Sequence, residues 1–101
     1  QLAVFPLVKK DGLPEIAQKI VGDLKWDFQV TYDEKDAVGR RYRRQDALGT
    51  PYCITIDHKT LKDQSVTIRD RDSMTQERIA IEALRGLFKD KLSIRKLLKK
   101  L

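Results

Sequence analysis

One cysteine, one histidine and one tryptophan stand in this chain of 101 residues, and their scarcity removes whole classes of chemistry. The lone Cys53 cannot close an internal disulfide, and nothing stands at zinc-ligand spacing from it. A reducing compartment is compatible with that usage. His58 follows Cys53 at an odd separation, which in one strand sends the two side chains to opposite faces. A Cys–His nucleophile pair is therefore not expected, and His58 reads as a solvated turn residue. The five glycines form neither standard phosphate-loop spacing. No apolar run approaches the ~20 residues of a membrane span. No leader segment is expected, because the first apolar run begins directly after Gln1, the pattern of a piece cut from a longer chain. Carboxylates are scattered among lysines and arginines as in surface ion pairs, so no residue here is assigned to catalysis, a metal or a cofactor.

Acid is also in short supply. Fifteen Asp and Glu face twenty-one Lys and Arg, a formal net charge of +6. That surplus favours a polyanionic partner, though many small domains are basic for solubility alone. With 41% hydrophobic residues the chain suits one globular domain of modest core. It has no linker, repeat or low-complexity stretch.

Leu2–Val8 is a short apolar run on both faces, as in a buried strand of a sheet covered on two sides. Pro14 can open a helix, which Ile16, Ala17, Ile20, Val21 and Leu24 continue at helical spacing. Phe28–Tyr32 alternates as a second strand. Asp33 and Asp36 can start a second helix, with Gly49 as its stop. Tyr52–Ile56 predicts a third strand, and Asp57–Gln64 a polar turn. Ser65–Arg71 and Glu77–Ile81 predict a closing hairpin. Leu84, Leu87 and Phe88 mark a third helix. Ile94, Leu97, Leu98 and Leu101 mark a short last one, with Ser93 as N-cap. It is basic at Arg95, Lys96, Lys99 and Lys100, and self-docking is favoured over membrane-surface binding because it lacks a bulky anchor. The order β-α-β-α-β-β-β-α predicts an α/β fold with a mixed sheet and helices on its faces.

The hairpin carries conflicting cues. One register sets Arg71 opposite Glu77 and Asp70 opposite Arg78, pairing charges. The other sets Val66 and Ile68 on the face of Ile79 and Ile81. Both stay open here.

The densest feature is VGRRYRRQDALGTP, residues 38–51. At 100° per residue Val38, Tyr42, Gln45 and Leu48 face the sheet. Arg40, Arg43, Arg44 and Ala47 face water, with Arg41 near the boundary. Tyr42 is expected to be largely buried as the seat of the cluster. The exposed guanidiniums repel, and only Asp46 lies near to offset them, so phosphates could supply the missing charge. A solvated basic face with no ligand is the other reading. In TIRDRD, strand periodicity puts Arg69 and Arg71 on one face and Asp70 and Asp72 on the other, and such mixed donors and acceptors on adjacent positions can read base edges; a salt-bridged hairpin is the bland equivalent.

The segments LAVFPLVKKDGLPEIA, YDEKDAVGRRYRRQDALGTPYCITID and VTIRDRDSMTQERI resemble the C-terminal anticodon-binding domain of class II aminoacyl-tRNA synthetases. The match is nearest to the pattern of the dimeric, single-subunit glycyl enzymes. It covers residues 2–90. The resemblance implies a mixed five-stranded sheet flanked by three helices, to which the short C-terminal helix is added. It implies a partner, the anticodon stem-loop of tRNA-Gly, whose anticodons end in a pair of cytosines. Carried onto this chain, Lys35, Arg40 and Arg69 approach the bases. Arg71 and Gln76 extend that set, and Arg43 and Arg44 face phosphates. A carboxylate or free carbonyl (Asp33, Asp72 or Glu77) is expected beside an Arg69 at the sheet's edge. Glycine activation, with ATP and magnesium, belongs to a separate catalytic domain of a homodimeric, cytoplasmic enzyme. The same fold also serves as a non-catalytic accessory subunit that binds protein and DNA; the complete arginine motif favours the synthetase.

Overall fold

A computed structural model describes residues 2–99, with side chains over residues 2–91. The elements are β1 (Leu2–Pro6), α1 (Leu13–Leu24), β2 (Val30–Tyr32), α2 (Val38–Leu48), β3 (Tyr52–Ile56), α3 (His58–Asp63), β4 (Ser65–Asp70), β5 (Gln76–Ala80), a 3-10 turn (Ile81–Ala83) and α4 (Leu84–Lys99). The strands form one mixed sheet in the order β2-β1-β3-β4-β5. β1 is parallel to both β2 and β3, and the remaining pairs are antiparallel.

This order explains where the helices lie. The chain steps from β1 outward to β2 through α1, then back past β1 to β3 through α2. Right-handed crossovers taken in opposite directions place their helices on opposite faces. Accordingly Ala17, Ile20 and Leu24 of α1 and Leu84 and Phe88 of α4 pack on Leu2, Val4, Ile54, Ile56, Val66 and Ile68. On the other face Ala3, Phe5 and Cys53 form a small apolar patch beneath Val38 and Tyr42 of α2, with Thr55 buried beside it. Every residue of β1 and β3 is buried, as runs apolar on both faces require. No helix among the described residues is long and apolar enough to cross a membrane.

Several local expectations change. Residues 57–64 are not a plain turn but contain α3. Its capping box is reciprocal: Asp57 Oδ1 accepts from the Thr60 N–H at 3.2 Å, and Thr60 Oγ1 accepts from the Asp57 N–H at 3.1 Å. The hairpin register pairs Val66 with Ile79, Thr67 with Arg78, and Arg69 with Gln76. The apolar match prevails over the charge match, because burying Val66, Ile68 and Ile79 outweighs exposed ion pairs. Residues 84–99 form a single helix, so Ser93 lies inside it rather than at a helix start. What was expected of side chains in 92–101 lies outside the described side chains. β2 is shorter than expected, and α2 starts after Ala37 with no side-chain cap from Asp33 or Asp36.

Candidate nucleic-acid interface

α2 holds the arginine cluster, and its underside differs from the expected one. Leu48 is 71% exposed, whereas Arg41 is only 2% exposed. Position 41 sits over the C-terminal ends of β1 and β2, where backbone carbonyls end without strand partners. A guanidinium satisfies several at once; leucine could not. Arg41 Nε donates to the Asp36 carbonyl at 3.3 Å, Nη1 to that of Asp33 at 3.5 Å, and Nη2 to that of Leu7 at 3.4 Å. Nη1 also donates to the Pro6 carbonyl at close range. Arg41 thus ties the end of β1, the 33–37 loop and α2 together.

The far end of α2 is fixed by the Gly-Thr-Pro that follows it. Gly49 takes a left-handed backbone (φ 78°), which turns the chain. The Thr50 N–H and hydroxyl then donate to the carbonyl and side-chain oxygen of Gln45, at 3.0 and 2.7 Å.

Between these anchors the helix has two flanks. Arg41, Arg44 and Leu48 point toward β2. Gly39, Tyr42, Arg43 and Asp46 follow i, i+3, i+4, i+7 spacing and overlook the uncovered part of the sheet. The partly exposed floor there is Thr67, Arg69, Gln76 and Arg78, which share the sheet face of Cys53 and of the buried Thr55 through the observed register. α2 and this floor meet along a partly exposed seam.

Arg69 lies at the seam. It occupies β4, one strand in from the edge, rather than the edge itself. Its Nη1 and Nη2 donate to Asp46 Oδ1 and Oδ2 at 2.8 and 3.2 Å. Its guanidinium carbon lies 5.0 Å from the Tyr42 ring centroid. The carboxylate beside Arg69 is therefore Asp46 of α2, and not Asp33, Asp72 or Glu77. The Arg69 hydrogen bonds pull the Asp46 carboxyl below its ordinary range, and the same bonds raise the Arg69 guanidinium. Arg71 reaches the same residue from the turn, with Nε donating to the Asp46 carbonyl at 3.2 Å. Tyr42 is half-buried, edge-on to Phe5 at 5.2 Å, with its hydroxyl on Thr55 Oγ1. Burial raises its phenol pKa and pushes the Cys53 thiol beneath it up to about 12, so that thiol stays protonated.

The expected site residues separate into two groups. Arg69, Arg71 and Gln76 gather near the C-terminal end of α2. Lys35 and Arg40 lie toward its other end, Arg40 standing roughly 9 Å along the axis from Asp46 at ~1.5 Å per residue. Arg43 stands between them. Lys35, Arg40 and Arg43 are exposed and form no ion pair among the described residues. Arg44 differs: Asp33 and Asp36 fold back from the preceding loop and bind it at 2.5 and 2.6 Å. The expectation that Asp46 is the only nearby acid is thus corrected.

Two site-building residues escaped the sequence. One is Arg41. The other is Arg78, whose Nη1 binds Asp57 Oδ2 at 2.6 Å and Thr67 Oγ1 at 3.1 Å, with Nε on Ser65 Oγ at 3.0 Å. Burial pushes the Asp57 carboxyl up, but the Arg78 hydrogen bond and charge outweigh that and leave it lowered. Knowing the apolar register would have placed Arg78 beside Thr67. His58 pairs with Asp11 at 2.9 Å on the exposed surface. Among the described residues no three His, Cys, Asp or Glu side chains gather as metal ligands.

The family model described as "Anticodon binding domain" matches residues 1–91. The chain belongs to the anticodon-binding domain family. It is 65% identical over 80 residues to the glycine–tRNA ligase of Rhodopirellula baltica, covering 79% of this chain and 15% of that protein. It is 51% identical over 92 residues to the glycine–tRNA ligase of Borreliella burgdorferi, covering 91% and 21%. This anticodon-binding domain thus spans between about a seventh and about a fifth of those relatives. Its fold matches the RNA-binding domain of threonyl-tRNA synthetase from Cryptosporidium parvum with a TM-score of 0.80 at 24% identity, covering 89% of this chain and 23% of that one.

Proposed function

We propose that this domain binds the anticodon stem-loop of tRNA-Gly as the C-terminal part of a glycine–tRNA ligase. The observation that carries the reading is Arg69: a donor fixed beside the Asp46 carboxylate where α2 meets the sheet, with Gln76 adjacent. Cytosine offers an amino donor, a ring-nitrogen acceptor and a carbonyl acceptor on its pairing edge. Its selection needs donors and an acceptor side by side, which Arg69, Asp46 and Gln76 supply. The exposed cations Lys35, Arg40 and Arg43 line the route for the backbone, whose phosphates they position without reading sequence. Arg44, already tied to two carboxylates, contributes less. The identity to glycine–tRNA ligases over most of the domain supports glycine as the amino acid.

In this reading the attachment of glycine to tRNA, with ATP and magnesium, belongs to a catalytic domain elsewhere in a homodimeric, cytoplasmic protein.

The test is binding of a labelled anticodon stem-loop, measured against salt. Arg43→Ala lowers affinity for every stem-loop and reduces the log–log salt slope by about 0.7–0.9. Arg69→Ala removes the preference for a loop carrying both cytosines over one with either replaced. Equal affinity of the wild-type chain for duplex DNA, or a preference untouched by Arg69→Ala, overturns the proposal.

A further inference from the structure

Among the described residues, four other than glycine have a left-handed backbone: Asp11, Asp36, Gln64 and Met74. Aspartate tolerates that conformation because its short side chain bonds locally. Gln64 adopts it as the cap that ends α3. Met74, with φ 59°, has neither reason. It closes the β4–β5 turn, its N–H donating to the Asp70 carbonyl at 2.9 Å. Glycine or asparagine would do this with less strain. Met74 is also 64% exposed, so its side chain contributes little burial. Strain held at an exposed apolar residue needs an explanation outside the fold.

The side chain supplies one. It turns back toward α2, placing Sδ 3.5 Å from Arg69 Nη2. Nη2 has two N–H groups. One is on Asp46 Oδ2, and the sulfur, a weak acceptor, holds the other. Tyr42 and Asp46 thus fix Arg69 from α2, while Met74 covers it from the turn with a bond that a stronger acceptor displaces.

We propose that Met74 is a base-contacting residue of the interface. In the free protein its thioether occupies the outward donor of Arg69. When a base presents a carbonyl or ring nitrogen to that donor, the sulfur yields it and the flexible side chain lies against the base face. Polarizable thioethers make favourable contacts with aromatic rings. The inference rests on the stem-loop reading above and adds to it a residue without charge or pairing atoms.

Three variants of the whole chain test it, each measured for melting temperature and for binding of an anticodon stem-loop carrying both cytosines. Met74→Leu keeps the bulk and loses the sulfur; it binds within about threefold of wild type. Met74→Gly relieves the backbone; it melts no lower than wild type yet binds roughly 2- to 12-fold more weakly, the size of one methionine–ring contact. Met74→Asn repeats that pattern with a side chain suited to the left-handed backbone. Wild-type affinity in both Met74→Gly and Met74→Asn overturns the inference and leaves the parent reading intact. So does weaker binding that tracks a lower melting temperature. Failure of the wild-type chain to bind the stem-loop overturns both.

Discussion

Replacing Arg41 with methionine keeps a straight aliphatic stem beneath α2 and removes every donor. Four carbonyls lose a partner: Pro6, Leu7, Asp33 and Asp36. Leu7 and Asp36 are exposed residues, so water can take over there, whereas Pro6 is buried and Asp33 half-buried. Hydrogen bonds to charged groups contribute roughly 1.5–3 kcal/mol each after desolvation. Three of the four are long, and only the Pro6 bond is close. The expected loss is therefore about 3 kcal/mol, a large share of the roughly 5–15 kcal/mol that holds a domain folded. For a chain of this size it corresponds to a melting point lower by roughly 12–24 °C. Urea unfolding followed by far-ultraviolet circular dichroism measures it. Fluorescence is a poor probe, because the only tryptophan, Trp26, is already 80% exposed in the fold. A midpoint shift worth less than about 0.5 kcal/mol at unchanged slope refutes the reasoning. It would show that the desolvation of an arginine lacking a carboxylate partner cancels its bonds, as buried charges can.

Asp46→Asn tests the pair that fixes Arg69. Because Arg69 lowers the Asp46 carboxyl in the fold, its stabilisation is complete above the unfolded carboxylate range and disappears as pH falls through the folded value. The variant should be less stable by up to about 1 kcal/mol at pH 7, as a partly exposed pair allows, and the gap to wild type should close in acid. A gap that persists at pH 2–3 would assign the loss to packing instead. Tyr42→Phe should cost roughly 0.5–1.5 kcal/mol through the lost bond to Thr55. Tyr42→Ala, which also removes the ring beneath Arg69, should cost about 3 kcal/mol. Comparable losses for the two in urea would mean that the ring contributes nothing.

The strands and α1 were legible because long-range packing agrees with local pattern there. β1 and β3 are apolar on both faces, and α1 has Pro14 at its start with apolar residues at helical spacing. α2 was legible as a helix but not in its fine rotation. Leu48 looked like a core residue because hydrophobicity is read residue by residue, while what lies under the end of a helix is decided by chain ends elsewhere. Arg41 looked like a boundary residue for the converse reason: its partners are backbone carbonyls, which no side-chain pattern displays. α3 is too short for periodicity to register, and its one cue was a pair of capping residues, Asp57 and Thr60. At the interface the residue types were legible and their pairings were not. Arg69 and Asp46 stand 23 positions apart and meet only because α2 crosses the sheet. Arg78 became visible once the hairpin register was known.

The two faces of the sheet are unequally covered, and this sets a hierarchy of local opening. α1 and α4 share a broad apolar seam with the sheet, so their amides should exchange with solvent mainly through global unfolding. α2 rests on a small apolar patch and is otherwise fastened by polar links at Arg41, Tyr42, Arg44 and Asp46. Such an element belongs to the low-stability end of a fold, where segments detach and reattach without the rest. A polyanion that bridges α2 and β4 would close that subglobal opening. Protection gained on binding would then spread along the whole helix, beyond the few residues in contact.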